Sequence, residues 1–101
     1  MELMTSCSDR NLTICLIGEL DHHGAKESTR ELERAVESAL PLTATLDFSG
    51  VTFMDSSGIA VVLHLLRRMR EVGGTLHLTH VPPQAKRVFD AAGISKMVAM
   101  E

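Results

Sequence analysis

One short stretch of the 101-residue sequence concentrates groups able to do chemistry: Phe53-Met54-Asp55-Ser56-Ser57-Gly58. Its small polar residues separate an apolar run ending at Met54 from an apolar helical pattern beginning at Ile59, so the break falls where a helix must start. A helix start leaves backbone N–H groups without intrahelical partners and carries partial positive charge. A serine hydroxyl there can cap the helix, or it can carry a phosphate that the helix end tolerates. Capping needs only one residue, Asp55 or Ser56, with Gly58 relieving crowding. It leaves the joint presence of an aspartate, two serines and a glycine unexplained, and no Glu or Gln stands three residues after Ser56 to complete a capping box. On the residues alone both readings stay open.

Other chemistries fit less well. A nucleophile elbow wants glycine two before and two after the serine, whereas this chain has Met54 before and Gly58 after. His22 and His23 are adjacent and point apart, His77 and His80 fall on opposite sides of a strand, and His64 lies in an apolar helical stretch. Each reads as a surface or packing residue rather than a base or metal ligand. Gly73-Gly74 lacks the Lys-Ser or Lys-Thr of a phosphate-binding loop. No catalytic residue, metal or cofactor is therefore expected. The formal charge of −3 argues against nonspecific nucleic-acid binding, and the one basic cluster, Arg67, Arg68 and Arg70, reads as a solvated last helical turn. Apolar stretches such as Ile59 to Leu63 fall far short of the roughly 20 residues that span a bilayer. The N-terminus also lacks a basic-then-apolar leader, so a cytoplasmic protein without membrane contact is expected.

The elements that must hold Ser56 follow from periodicity. The length suits a single domain over residues 1–101, and 45% hydrophobic with 23% charged residues is ordinary for a globular chain. Leu12 to Leu20 is apolar on both alternating faces, which predicts a central strand covered on both sides. Glu2 to Ser8 supplies an edge strand. A hairpin across Ser8-Asp9-Arg10-Asn11 sets Cys7 against Leu12 and Cys15 against Met4, so the two thiols do not meet. From Ala25 onward Leu32, Ala35, Val36, Ala39 and Leu40 line one helix face until Pro41, and Thr43 to Phe48 alternates as a half-buried strand. The helix starting near Ser56 buries Ile59, Val62, Leu63, Leu66 and Met69, with Ala60, Val61 and Leu65 widening the face, and Gly73-Gly74 caps it. Thr75 to Val81 is a strand. Pro82-Pro83 opens a third helix with Ala85, Val88, Phe89 and Ala92 inward, Gly93 ends it, and Ile94 to Met100 is a short apolar tail. The order β-β-α-β-α-β-α with right-handed crossovers gives an α/β fold: a small mixed sheet with helices mainly on one face.

Over nearly its whole length the sequence resembles the anti-sigma factor antagonists of the STAS domain family, of the sporulation and stress types. The resemblance rests on Gly18-Glu19-Leu20-Asp21-His22-His23, Phe53-Met54-Asp55-Ser56-Ser57-Gly58 and Gly73-Gly74, extended by Pro82, Val88-Phe89 and Gly93. It implies that Ser56, the serine directly after the aspartate, is phosphorylated by an anti-sigma factor, a serine kinase that otherwise sequesters a sigma factor. The unphosphorylated form binds that kinase and releases sigma, the phosphorylated form does not bind, and a separate phosphoserine phosphatase restores it. The chain is then substrate and partner, not catalyst. Asp21 matches the family aspartate that contacts the partner, a role compatible with capping the first helix. His22, Asp55, Ser57 and Gly58 complete the implied partner surface. Ala60 departs from the glycine that relatives often carry after Asp-Ser-Ser-Gly and Leu or Ile, which bears on the fine fit to the partner. The alternative is a nucleotide- or ligand-binding STAS regulatory module without a kinase partner.

Overall fold

The structure is a computed structural model that describes residues 1–101. Its elements are β1 (Glu2–Ser8), β2 (Asn11–Leu20), α1 (His22–Ala39), β3 (Thr43–Met54), α2 (Ser57–Glu71), β4 (Thr75–Thr79), α3 (Pro83–Ala91), a 3-10 turn (Ile94–Lys96) and β5 (Ala99–Met100). The sheet order is β1-β2-β3-β4-β5, with β1 antiparallel to β2 and the remaining pairs parallel. Because each right-handed crossover steps in the same direction, the three helices share one face of the sheet.

The β1–β2 hairpin turns on Asp9 and Arg10, both at positive φ (51° and 63°), a backbone whose twist matches that of the paired strands. The resulting register sets Met4 opposite Cys15 and Cys7 opposite Leu12, as the turn residues predict, and both cysteines are free. Leu12, Ile14 and Leu16 of β2, Ala44, Leu46 and Phe48 of β3, and Leu76 and Leu78 of β4 point under the helices and are buried. The alternate residues do not match the expectation of a strand covered on both sides. Thr13 and Cys15 are half-buried and Ile17 and Glu19 exposed, because no helix crosses the far face. Two register irregularities between β2 and β3 then change which β3 residues face inward, so Val51 and Met54 are buried while Phe53 is exposed.

The helices differ from the periodic reading at their edges. Asp21 starts α1 at His22, ahead of Ala25, and Leu40 is not on the buried face. It is the left-handed C-cap (φ 44°), 55% exposed, and its N–H donates to Val36 O at 2.8 Å. The buried stripe of α2 is Gly58, Val61, Val62, Leu65, Leu66 and Met69, turned by about one position from the expected one, which leaves Ile59 and Leu63 half-buried and Ala60 exposed. Gly73 at φ +76° ends α2 in a Schellman motif, with Gly74 N–H donating to Met69 O (2.8 Å) and Gly73 N–H to Arg70 O (3.1 Å). Arg68 is not a solvated residue: half-buried between helices, it pairs with Glu37 at 3.0 Å and Glu71 at 2.9 Å, while Arg67 and Arg70 are exposed. His64 of α2 meets Glu33 of α1 at 2.5 Å.

β4 stops at Thr79, short of Val81, since His80 takes a left-handed backbone (φ 54°). Ala92 is the exposed C-cap of α3 rather than part of its inward stripe, and Gly93 (φ +73°) turns the chain. The apolar tail forms a fifth strand, secured where Glu101 N–H donates to Leu78 O (2.9 Å) and Val81 N–H to Glu101 O (3.1 Å). One core of 23 buried apolar residues unites the layers, and Phe89 of α3 meets Phe48 of β3 edge to face with ring centroids 5.5 Å apart.

Candidate functional site

Strands β2 and β3 finish level with one another, Leu20 opposite Met54. Asp21 and Asp55, the next residue of each strand, therefore leave the sheet side by side, and Asp55 N–H donates to Leu20 O at 3.3 Å. Each aspartate starts a helix. Asp21 Oδ1 accepts the N–H of Gly24 at 2.8 Å, and Asp55 Oδ1 accepts the N–H of Ser57 at 2.8 Å. Two helix N-termini, each a centre of partial positive charge, thus sit over adjacent carboxyl-terminal strand ends.

Ser56 follows Asp55 at the start of α2. It is exposed, has helical backbone angles (φ −62°, ψ −16°), and its hydroxyl makes no capping bond. The cap is therefore Asp55. The N–H groups of Ser57, Gly58 and Ile59 are already taken by Asp55 Oδ1, Asp55 O (3.1 Å) and Ser56 O (3.1 Å). The Ser56 oxygen has no partner from the chain, so any activation of it for reaction must come from outside.

The other residues singled out by sequence divide by exposure. His22 is exposed beside the Asp21 cap, and Asp21, Asp55 and Ser57 are half-buried. Gly58 is buried, so its expected place on a partner surface gives way to a packing role. A Cβ there would lie 2.4 Å from Met54 Sδ, so glycine lets α2 seat on the end of β3 without displacing the Met54 side chain. Gly24 does the same for α1, where a Cβ would fall 2.5 Å from Glu19 O.

Sequence reasoning missed Gln84. Its Oε1 accepts the N–H of Met54 at 3.0 Å and its Nε2 donates to Met54 O at 2.7 Å, so one side chain holds both polar groups of Met54 two residues before Ser56. No local pattern announces a contact between residues so far apart in the chain. On the helix-free face, away from Ser56, Cys15 Sγ lies 3.8 Å from Asp47 Oδ2 and His80 Nδ1 lies 3.3 Å from Asp47 Oδ1. Burial tends to raise the Asp47 pKa, but hydrogen bonds from Ser49, the His80 charge and the Cys15 thiol together hold it below the usual carboxylate range. Burial, with the Asp47 charge and hydrogen bond, pushes the Cys15 thiol up.

A family model described as the STAS domain matches residues 2–101. The chain belongs to the STAS domain family. This STAS domain is 32% identical over 83 residues to the anti-sigma F factor antagonist of Lysinibacillus sphaericus, a match covering 82% of the chain and 71% of that relative. Its fold is similar to that of the anti-sigma factor antagonist SpoIIAA in its unphosphorylated form, with a TM-score of 0.83 at 28% identity over 99% of this chain and 88% of the other. The phosphorylated form of SpoIIAA, the Bacillus cell fate determinant, is similar at a TM-score of 0.75 and 27% identity, covering 99% of this STAS domain and 91% of that chain. The five-stranded sheet with three helices is the SpoIIAA architecture, in keeping with the α/β fold expected from the residues.

Proposed function

We propose that this STAS domain is an anti-sigma factor antagonist, switched by phosphorylation of Ser56. The observation that carries the reading is the Ser56 hydroxyl, exposed and unbonded at the N-terminus of α2, directly after the capping Asp55. Relatives and solved structures named as antagonists support it, SpoIIAA in both phosphorylation states among them. The unphosphorylated chain docks on an anti-sigma factor that is also a serine kinase, through Ser56, Asp21, His22, Asp55 and Ser57, and displaces the sigma factor. The kinase then transfers the terminal phosphoryl group of ATP. A bond forms between Ser56 Oγ and phosphorus, the bond from phosphorus to the bridging oxygen of ADP breaks, and the hydroxyl proton passes to a base of the kinase. A phosphoserine phosphatase reverses the modification, and partners of this kind place the chain in the cytoplasm.

The modification adds roughly 1.5 to 2 negative charges and three acceptor oxygens. With the N–H groups of Ser57, Gly58 and Ile59 already engaged, the phosphate stays directed outward, next to the carboxylate of Asp55. The favourable helix-end term is about 0.3 to 1 kcal/mol, small against the packing of a helix that buries Val61, Val62, Leu65, Leu66 and Met69. The block is therefore local, electrostatic and steric, and the fold persists. Intact mass after incubation with the cognate kinase and ATP tests the acceptor. The chain should gain one phosphate, Ser56→Ala none, and Ser56→Asp should lose kinase affinity while Ser56→Ala retains it. Phosphate on Ser56→Ala, or equal binding by the two variants, rules the mechanism out.

A further inference from the structure

The β3–β4 pairing runs from Thr43 opposite Thr75 to Asp47 opposite Thr79, after which β4 ends and β3 continues to Met54 paired with β2 on one side only. An unpaired strand edge needs hydrogen-bond partners from elsewhere. At Met54 the partner is the carboxamide of Gln84, which offers the same donor and acceptor as a peptide group. This side chain stands in the first turn of α3, a helix fixed to the core through fully buried Ala85 and Phe89. On the other flank Leu20 of β2 lies opposite Met54 and accepts the N–H of Asp55.

The Ser56 side chain has no bond of its own, so its position is inherited from the backbone that reaches it. We infer that Gln84 is a positioning residue for Ser56, acting as a one-residue substitute for the missing strand and tying α3 to the turn that presents the hydroxyl. The functional consequence rests on Ser56 being the phosphoacceptor; the clamp itself does not. Phosphoryl transfer requires the oxygen in line with the transferred group, and a turn free to wander satisfies that geometry less often.

The test measures amide hydrogen exchange together with single-turnover phosphorylation, on the full chain and on Gln84→Ala and Gln84→Glu. In Gln84→Ala, protection of the Met54 amide should fall at least tenfold relative to those of Ile14 and Leu46 in the same sample. Phosphorylation at saturating kinase should slow about tenfold with kinase affinity little changed. Gln84→Glu keeps the acceptor for Met54 N–H and loses the donor to Met54 O, so it should restore part of the Met54 protection. Unchanged Met54 protection in Gln84→Ala, or a fall shared equally with Ile14 and Leu46, overturns the clamp. Local loss of protection with an unaltered transfer rate overturns the positioning role. If the kinase leaves even the unaltered chain unmodified, the assignment of Ser56 as acceptor and the positioning role fall together, while exchange still decides the clamp.

Discussion

Asp55 Oδ1 receives the backbone N–H of Ser57 at 2.8 Å, across a Ser56 whose hydroxyl takes no part. Capping and presentation are thereby divided between neighbours, so substitutions should separate them. Asp55→Ala should cost about 1 kcal/mol in urea denaturation. Ser56→Ala should stay within about 0.5 kcal/mol of the unaltered chain. Equal losses would return the cap to the serine.

At the other helix start, the Asp21 bond to Gly24 needs an oxygen rather than a charge. Asp21→Ala should lose about 1 kcal/mol, and Asp21→Asn should lose much less because Asn caps well. Kinase affinity measured on the stable Asn variant then isolates the role of the negative charge. Affinity equal to that of the unaltered chain would remove that charge from the partner surface.

The two packing glycines should respond unequally to alanine. At Gly24 the new Cβ meets the carbonyl oxygen of Glu19, part of the backbone, whereas at Gly58 it meets the Met54 thioether, which can shift. Overpacking costs about 1 to 3 kcal/mol, against which alanine regains up to about 1 kcal/mol of helix propensity. Denaturation midpoints should therefore fall further for Gly24→Ala than for Gly58→Ala.

Asp47 gives the acid limb of stability a residue to test. Its native carboxyl binds a proton less readily than the same group in the unfolded chain, whose pKa is about 3.9. The stability it contributes is present above that value and is lost as pH falls toward and through the lower native one. Between about pH 5 and pH 3 the unaltered chain should lose stability more steeply than Asp47→Asn. Parallel pH profiles would contradict the shift.

Alkylation offers a second readout of the same cluster. Cys7 is exposed on the edge strand, whereas burial and Asp47 disfavour the Cys15 thiolate. Iodoacetamide near pH 8 should modify Cys7 first, and Asp47→Asn should quicken Cys15 without affecting Cys7. Peptide mass mapping over time resolves the two sites.

Local signals in the sequence carried the frame of the molecule. Asp9-Arg10 between two strand patterns fixed the hairpin register, and with it the separation of Cys7 from Cys15. Gly73 and Gly93 marked helix ends because only a left-handed turn continues the chain there. The small polar group at Asp55 to Gly58 located the site, yet whether Asp55 or Ser56 held the cap depended on backbone angles that composition does not encode. What remained hidden was nonlocal. Apolar residues on both faces of β2 suggested two covering layers, although sheet order leaves one face bare. Ala99–Met100 is too short to alternate and becomes a strand only because Leu78 and Val81 receive it. Gln84 reads as an ordinary polar residue of a first helical turn until the end of β3 is seen beside it.

Strand order in this sheet equals order along the chain. During synthesis each new strand can join the most recently formed edge, and none has to be threaded between two that are already paired. The N-terminal hairpin can thus serve as a template while the ribosome is still supplying the remainder, and the segment bearing Ser56 joins the growing structure once β3 has paired with β2.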